Sequence, residues 1–264
     1  MQRRMPLLLV IVMTLTVCAE LALGQSSEVS TEIAPSGKLR TALIGSNPVL
    51  VTKRADGTLG GVSVELAKLI AERLGVSFEP VVYSDTDSYA KSFGARQWDI
   101  AIGPRTPVAE SHSDFSPDFM LVDNIYVAAP GRDFGDASQV DRPGVKIAVV
   151  VNGAPDQFLS MALKSAQLVR ISGGSEAMIE ALRSGKADVY GSNAENVHKV
   201  AAGLPGAKIV PGAFRSVRMA VAFPKGRSMA AKGKITEIVN GAKAGGLVQK
   251  ATEEAHLKGV RVAP

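Results

Sequence analysis

Arg105 is the side chain of this 264-residue chain best suited to hold a small anion. It follows the apolar stretch Ile100-Ala101-Ile102-Gly103-Pro104 and precedes Thr106, and a guanidinium offers a carboxylate two parallel N–H donors. Its plain alternative is an arginine exposed on a domain rim. Asn47 and Tyr83 also stand where strand-like runs end. Asn47 can donate to and accept from an amide, hydroxyl or carboxylate, or simply make a turn before Pro48. Tyr83 can wall a ligand site, whereas Asp85 fits a polar turn or helix cap. Further on, Asn152-Gly153-Ala154-Pro155-Asp156 separates a strand from a helix. Pro155 suits an early helical position, where its missing N–H costs nothing, and the open amides there can hold an anion. Asp156 supplies the opposing reading, a carboxylate that caps its own helix. Asn193, at another strand-to-helix boundary, serves equally as N-cap or as ligand.

Catalytic and metal chemistry find less support. His112, His198 and His256 are dispersed, without cysteine partners or a short ligand spacing. The chain contains no Gly-x-Ser-x-Gly elbow, phosphate loop or dinucleotide fingerprint. Glu110 is the one acid near Arg105 that would tempt a catalytic role. The formal net charge is +5, but the 30 basic residues are scattered and aromatics are few, with one Trp and four Tyr, which argues against a nucleic-acid stacking surface. The expectation is a binding protein that is not an enzyme and uses no metal and no cofactor.

Strand and helix signals alternate through the chain, as in a mostly parallel sheet covered on both faces. Leu39 to Ile44 reads as a strand. Val64 to Leu74 carries a helical apolar face, with Ser63 as N-cap and Gly75 as stop. Val76 to Tyr83 is a strand, Ser88 to Phe93 a helix and Trp98 to Ile102 a buried strand. A second round runs from Ile147 to Val210: strands Ile147–Val151, Gln167–Ile171, Ala187–Tyr190 and Lys208–Val210 alternate with helices Asp156–Leu163, Glu176–Leu182 and Ala194–Ala201. Asp114 to Pro130 holds two extended segments split by Asp123-Asn124, Val217 to Phe223 is a strand, and two weak helices, Lys232–Ala242 and Leu247–His256, finish the chain. Both rounds contain a helix end, a glycine, a basic residue and an Asp opening an apolar strand: Phe93-Gly94-Ala95-Arg96-Gln97-Trp98-Asp99 and Leu182-Arg183-Ser184-Gly185-Lys186-Ala187-Asp188. This organisation predicts two α/β lobes, residues 29–122 plus 217–264 and residues 123–216, joined by two crossings and without one sheet continuous across both. Ligands favour the crevice at the carboxyl ends of such strands.

Several segments together resemble the extracellular solute-binding proteins of the amino-acid-binding class, family 3, of ABC-type importers. They are Gly37-Lys38-Leu39-Arg40, Asp56-Gly57-Thr58-Leu59-Gly60-Gly61, Trp98-Asp99-Ile100-Ala101-Ile102-Gly103 with Thr106-Pro107, Asp114-Phe115-Ser116-Pro117 and Ala220-Val221-Ala222-Phe223-Pro224-Lys225-Gly226. The resemblance implies a two-lobed periplasmic-binding-protein-like fold of type II with a two-strand hinge. It also implies a small-molecule ligand held between closing lobes, an ABC permease as partner and a monomer. That family's arginine clamp, two residues after Thr-Pro, falls on Ala109, and its ammonium-binding Asp falls on Asn193. The aromatic wall after the first strand is replaced by Ser46-Asn47-Pro48-Val49, and the hydroxyl after Gly153 by Ala154. Losing both charged partners of a zwitterion points from an ordinary amino acid toward a small anionic solute, with Asn47, Tyr83, Arg105, Thr106, Asn152, Gly153, Ala154, Asp156 and Asn193 as its candidate contacts. A non-standard clamp for an amino acid, a sensory subunit and a periplasmic lyase or dehydratase on the same fold are the alternatives.

The N-terminus reads as an export signal: Arg3 and Arg4, an apolar run from Met5 to Val17, then Ala22-Leu23-Gly24 as a cleavage site. Residues 1–24 would be removed, Cys18 with them, leaving a cysteine-free periplasmic chain without a membrane span.

Overall fold

The computed structural model describes residues 27–264, so the expected export signal and Cys18 lie outside the described residues. A helical stretch at 27–33 leads into β1 (Lys38–Ile44), the short pair β2 (Thr52–Lys53) and β3 (Leu59–Gly60), and helix α1 (Val62–Leu74). Next come β4 (Ser77–Tyr83), α2 (Thr86–Lys91), β5 (Ile100–Pro104), α3 (Pro107–His112), β6 (Ser113–Phe115) and β7 (Met120–Ala128). The second round is β8 (Lys146–Val150), α4 (Ala154–Ala162), β9 (Gln167–Ile171), α5 (Ser175–Arg183), β10 (Val189–Asn193) and α6 (Ala194–Gly203). β11 (Lys208–Pro224), α7 (Met229–Ala244), α8 (Leu247–Glu254) and β12 (Val260–Val262) complete the chain.

The main strand order is β4-β1-β5-β11-β7-β10-β8-β9. β4, β1 and β5 are mutually parallel, as are β10, β8 and β9, and the antiparallel pair β7–β11 stands between the two trios. The expectation of no shared sheet is thereby corrected. The path is unbroken because β7 and β11 are long enough to belong to both halves. Their ladder pairs Met120–Val122 with Val217–Met219, passes through Asp123–Ser216 and Asn124–Arg215, shifts register, and resumes at Tyr126–Val210. The cores remain separate. One cluster takes its buried residues from 33–122 and 217–248, while two smaller clusters take theirs from residues 126–210.

Local expectations fail where a side chain was read without its packing. Ser63 is not the N-cap of α1; it is fully buried, and the cap is Gly61, at φ 96°. A Cβ there would lie 2.7 Å from the Leu50 carbonyl oxygen, so only glycine fits. Gly75 does end the helix, in the left-handed conformation. Asp123-Asn124 does not split two segments, since β7 runs through it, and the strands expected at Lys208 and Val217 are one strand. α2 starts at Thr86, not Ser88, because Asp85 caps it by accepting from Ser88 N. α3 and β12 had no signal that sequence reading recovered.

The two Gly…Asp stretches do the same physical job. Asp99, 2% exposed, accepts from the Arg40 backbone N–H at 2.9 Å and from its guanidinium at 2.7 Å, while Asp99 N donates to Arg40 O. Asp188, 6% exposed, accepts from Lys146 N at 2.8 Å while its own N–H donates to Lys146 O. Each buried carboxylate therefore fastens the first strand of its half to a neighbouring parallel strand. Asp188→Ala should cost about 2 kcal/mol in urea unfolding, because it removes the charge-assisted hydrogen bond from the Lys146 backbone N–H. Arg132→Ala, which removes only the exposed partner of Asp188, should cost under about 1 kcal/mol.

Candidate functional site

A cavity of about 670 Å³ lies between the lobes. The first lobe contributes the loop after β1 (Gly45 to Pro48), the turn Ser84–Asp87 and Pro104. Asn124, Val217 and Met219 of the crossing strands form part of its wall. From the second lobe come the starts of three helices: Gly153 to Pro155 of α4, Ser172 to Ser175 of α5, and Asn193 with Asn196 and Lys199 of α6.

Four of the expected residues line this space: Asn47, Gly153, Ala154 and Asn193. Asn47 is also a turn residue, since its Oδ1 accepts from Val49 N at 3.1 Å. Asn193 is likewise both lining and N-cap, accepting from Asn196 N at 2.9 Å. The other five do not line the cavity. Arg105 is turned away: its guanidinium lies over the Phe115 ring at 4.8 Å, 3.4 Å from Asp118 and 3.5 Å from Glu110, and it is an element of first-lobe packing. Thr106 caps α3 by accepting from Ala109 N, and Ala109 is 1% exposed, so the position of the family's clamp is closed over. Tyr83 donates its hydroxyl to Gln97 at 3.0 Å. Asp156, buried, accepts from Asn152 N and from the Arg170 and Ser160 side chains, so its carboxylate is taken up there and does not cap α4.

Asn152 has a different task. Its backbone is left-handed, at φ 56°, and its side-chain amide donates across the interlobe gap to the Asp87 carboxylate. Gln157 extends the link, donating to Asn152 O at 2.8 Å and accepting from Val108 N at 3.2 Å. Ala154 packs against the first-lobe core. The lobes are thus closed on one another. Near the crossing, Arg215 lies 4.6 Å over the Phe158 ring, and burial lowers its pKa against the opposing pull of Glu110.

Sequence reading missed Asn124, Ser172 to Ser175, Asn196, Lys199 and Asp87. Asn124 is 2% exposed and its amide nitrogen has no hydrogen-bond partner among the described residues, although it lies in the middle of a strand that looked merely extended. Ser172-Gly173-Gly174-Ser175 does carry a usable signal, a glycine pair between a strand and a helix. α4 and α5 begin at Gly153 and Gly174 with no side-chain cap, and both glycines line the cavity, although each helix carries an acid in its first turn, Asp156 and Glu176. Lys199 is the one cationic side chain in the lining, and it forms no ion pair among the described residues. Asp85 and Asp87 are the carboxylates. Backbone and hydroxyl donation from Ser88 and Ser84 holds Asp85 below the usual range, and Lys91 followed by Asn152 does the same for Asp87. Burial pushes the Tyr190 hydroxyl up to about 12, which keeps it a proton donor at the cavity wall. No group of three or more His, Cys, Asp or Glu side chains able to hold a metal occurs among the described residues.

Known proteins place this geometry. Residues 39–134 match the model of the bacterial extracellular solute-binding proteins, family 3. The likeness read from the sequence therefore holds over that part of the chain. Among solved structures, an arginine-binding protein mutant from T. maritima is 22% identical, with TM-score 0.70, over 86% of this chain and 99% of that one. A solute receptor for L-cysteine from Neisseria gonorrhoeae is 19% identical, with TM-score 0.72, over 89% and 99%. An ancestral amino-acid-binding protein, a precursor of cyclohexadienyl dehydratase, is 21% identical, with TM-score 0.69, over 85% and 97%. No curated protein matches the chain. The fold is the two-lobed α/β architecture of type II binding proteins.

The interlobe link is testable without disturbing its backbone. Asn152→Gly keeps the left-handed conformation and removes the amide, so the ligand-free chain should open and its radius of gyration in solution scattering should rise. Acid should act at the other end of the same bond. The Asp87 carboxyl is held below its ordinary value of 3.8, so its contribution to closure is present above that value and is lost as pH falls through the lowered one. Scattering at stepwise lower pH should therefore show opening only in the strongly acid range, and an Asp87→Asn chain should lose that pH dependence.

Proposed function

We propose that this chain is a periplasmic solute-binding protein that captures a small polar molecule with an anionic end and delivers it to an ABC-type importer, acting as a monomer without cofactor. We place the lobe boundaries near residues 122 and 217, so that the crossings at β7 and β11 form the hinge. The family match over residues 39–134 and the fold support the class. Support for the ligand comes from one observation: the positive pole of the cavity belongs to the second lobe, where two uncapped helix starts, α4 and α5, accompany Lys199. Helix N-termini with an amine favour a carboxylate or similar group. Arg105, engaged by Asp118, is not needed for this.

Asp85 favours a second reading. It lines the cavity on the first-lobe side and stays ionised, so an α-amino acid could lie with its carboxylate toward Lys199 and its ammonium toward Asp85. A solved structure from Streptococcus pneumoniae that is 22% identical to this chain is bound to L-arginine, which supports an amino acid as the class of ligand. Neither reading involves turnover. Glu110, the acid that would tempt a catalytic reading, faces Arg105 and is absent from the lining.

Calorimetry against matched pairs, each amino acid beside its hydroxy- and keto-acid analogue, separates the two readings. An anionic-solute protein should bind the analogue at least as well, whereas a preference of tenfold or more for the amino acid, about 1.4 kcal/mol, assigns Asp85 the ammonium. In either case Lys199→Ala should weaken binding by up to about fivefold, the range of one exposed charge contact. Bound ligand should be recovered unchanged and should raise the melting temperature. Consumption of the ligand at catalytic protein concentrations would overturn the proposal.

A further inference from the structure

A second pocket, of about 220 Å³, lies on the first lobe and shares no lining residue with the interlobe cavity. Gly94, Arg96, Trp98, His112, Ser113 and Lys225 line it. Two of these are cations and one can become a cation, and no carboxylate is among the lining residues. Asp114, the nearest acid in sequence, is taken up by Lys232 at 2.6 Å. Lys225 spends one proton on Ser111 O at 2.9 Å and keeps two, while Arg96 forms no ion pair among the described residues. The Nδ1 of His112 lies 2.7 Å from Ser111 Oγ and 3.1 Å from Val108 O, which leaves Nε2 as its outward nitrogen. A Cβ at Gly94 would meet that ring at 2.9 Å, so glycine is what leaves room beside it. The deciding feature is Ser113. It is 4% exposed, and its hydroxyl has no hydrogen-bond partner among the described residues although it borders a pocket rimmed by positive charge. A buried hydroxyl without a partner costs stability, and an oxyanion in the pocket would supply the missing acceptor.

We propose that this pocket is a second binding site, selective for a small oxyanion, with Ser113 donating from its floor, His112 presenting its outward Nε2, and Arg96 and Lys225 supplying charge. The sole tryptophan of the chain, Trp98, borders the site and reports on it. Inorganic phosphate titrated into the intact chain at constant ionic strength should give a saturable change in Trp98 fluorescence. It should also shift the ring signals of His112 in NMR while those of His198 and His256 stay in place. Arg96→Gly suits the backbone at φ 53°, and it and Lys225→Ala should each weaken phosphate about fivefold, as expected for one charge-assisted contact at a partly open site. Ser113→Ala should also weaken phosphate yet raise the melting temperature of the phosphate-free chain, since it deletes an unpaired buried group. A response that does not saturate, that moves all three histidines together, or that survives Arg96→Gly, Lys225→Ala and Ser113→Ala unchanged would overturn the assignment. So would a response abolished by Lys199→Ala, which would place the phosphate between the lobes.

Discussion

The antiparallel ladder of β7 and β11 carries the mechanical load of the molecule. Each trio of parallel strands is bonded to one side of it, β5 to β11 and β10 to β7, so every loop facing the cavity inherits its position from this pair. The register shift between Val210 and Arg215 falls just beyond the stretch where the pair leaves the first core. A shift of register makes a ladder locally easier to bend and twist, which is what two bodies moving about a shared sheet require. Ser216 and Arg261 converge on Asp123 at the same level and tie β12 to the crossing. The buried carboxylates of Asp99 and Asp188 then fix each trio internally, leaving motion to the crossing.

In the proposed reading, positive charge for the ligand comes from backbone as much as from side chains. A guanidinium clamp brings its own long, adjustable stem. The ends of α4 and α5 are instead fixed by β8 and β9, which hold those amides where the sheet puts them. Preorganised donors lose little freedom when an anion arrives. The closed arrangement also joins a binding element to a closure element, because the residues just before α4 both face the cavity and, through Asn152, hold Asp87 of the opposite lobe.

Most of the architecture was legible because alternating strands and amphipathic helices are written in local periodicity. β1, β5, β8, β9 and α1 were found close to their observed limits. The sites were harder, because a strand-end residue is known by its position and not by its direction. Arg105 has the right chemistry at the right strand end, but Phe115 and Asp118, ten and more residues on, turn it inward. Asn47 and Asn193 stayed ambiguous for a physical reason: each makes its local hydrogen bond and still lines the cavity. Lys199 escaped notice and Asn124 was read only as a break between two segments, since an ordinary helical lysine and a mid-strand asparagine become informative only when the groups around them are known.

The order of the chain has a kinetic consequence. The first core draws on residues 33–122 and then waits for residues 217–248, whereas the smaller clusters are complete within residues 126–210. A chain emerging N-terminus first can therefore close the inserted half on its own contacts while the earlier half still lacks α7, α8 and the outer part of β11. Long-range closure is slow to pay its entropy, so the half that is made first is finished last. During that interval the faces of α1 and β5 that α7, α8 and β11 cover in the finished molecule stay open.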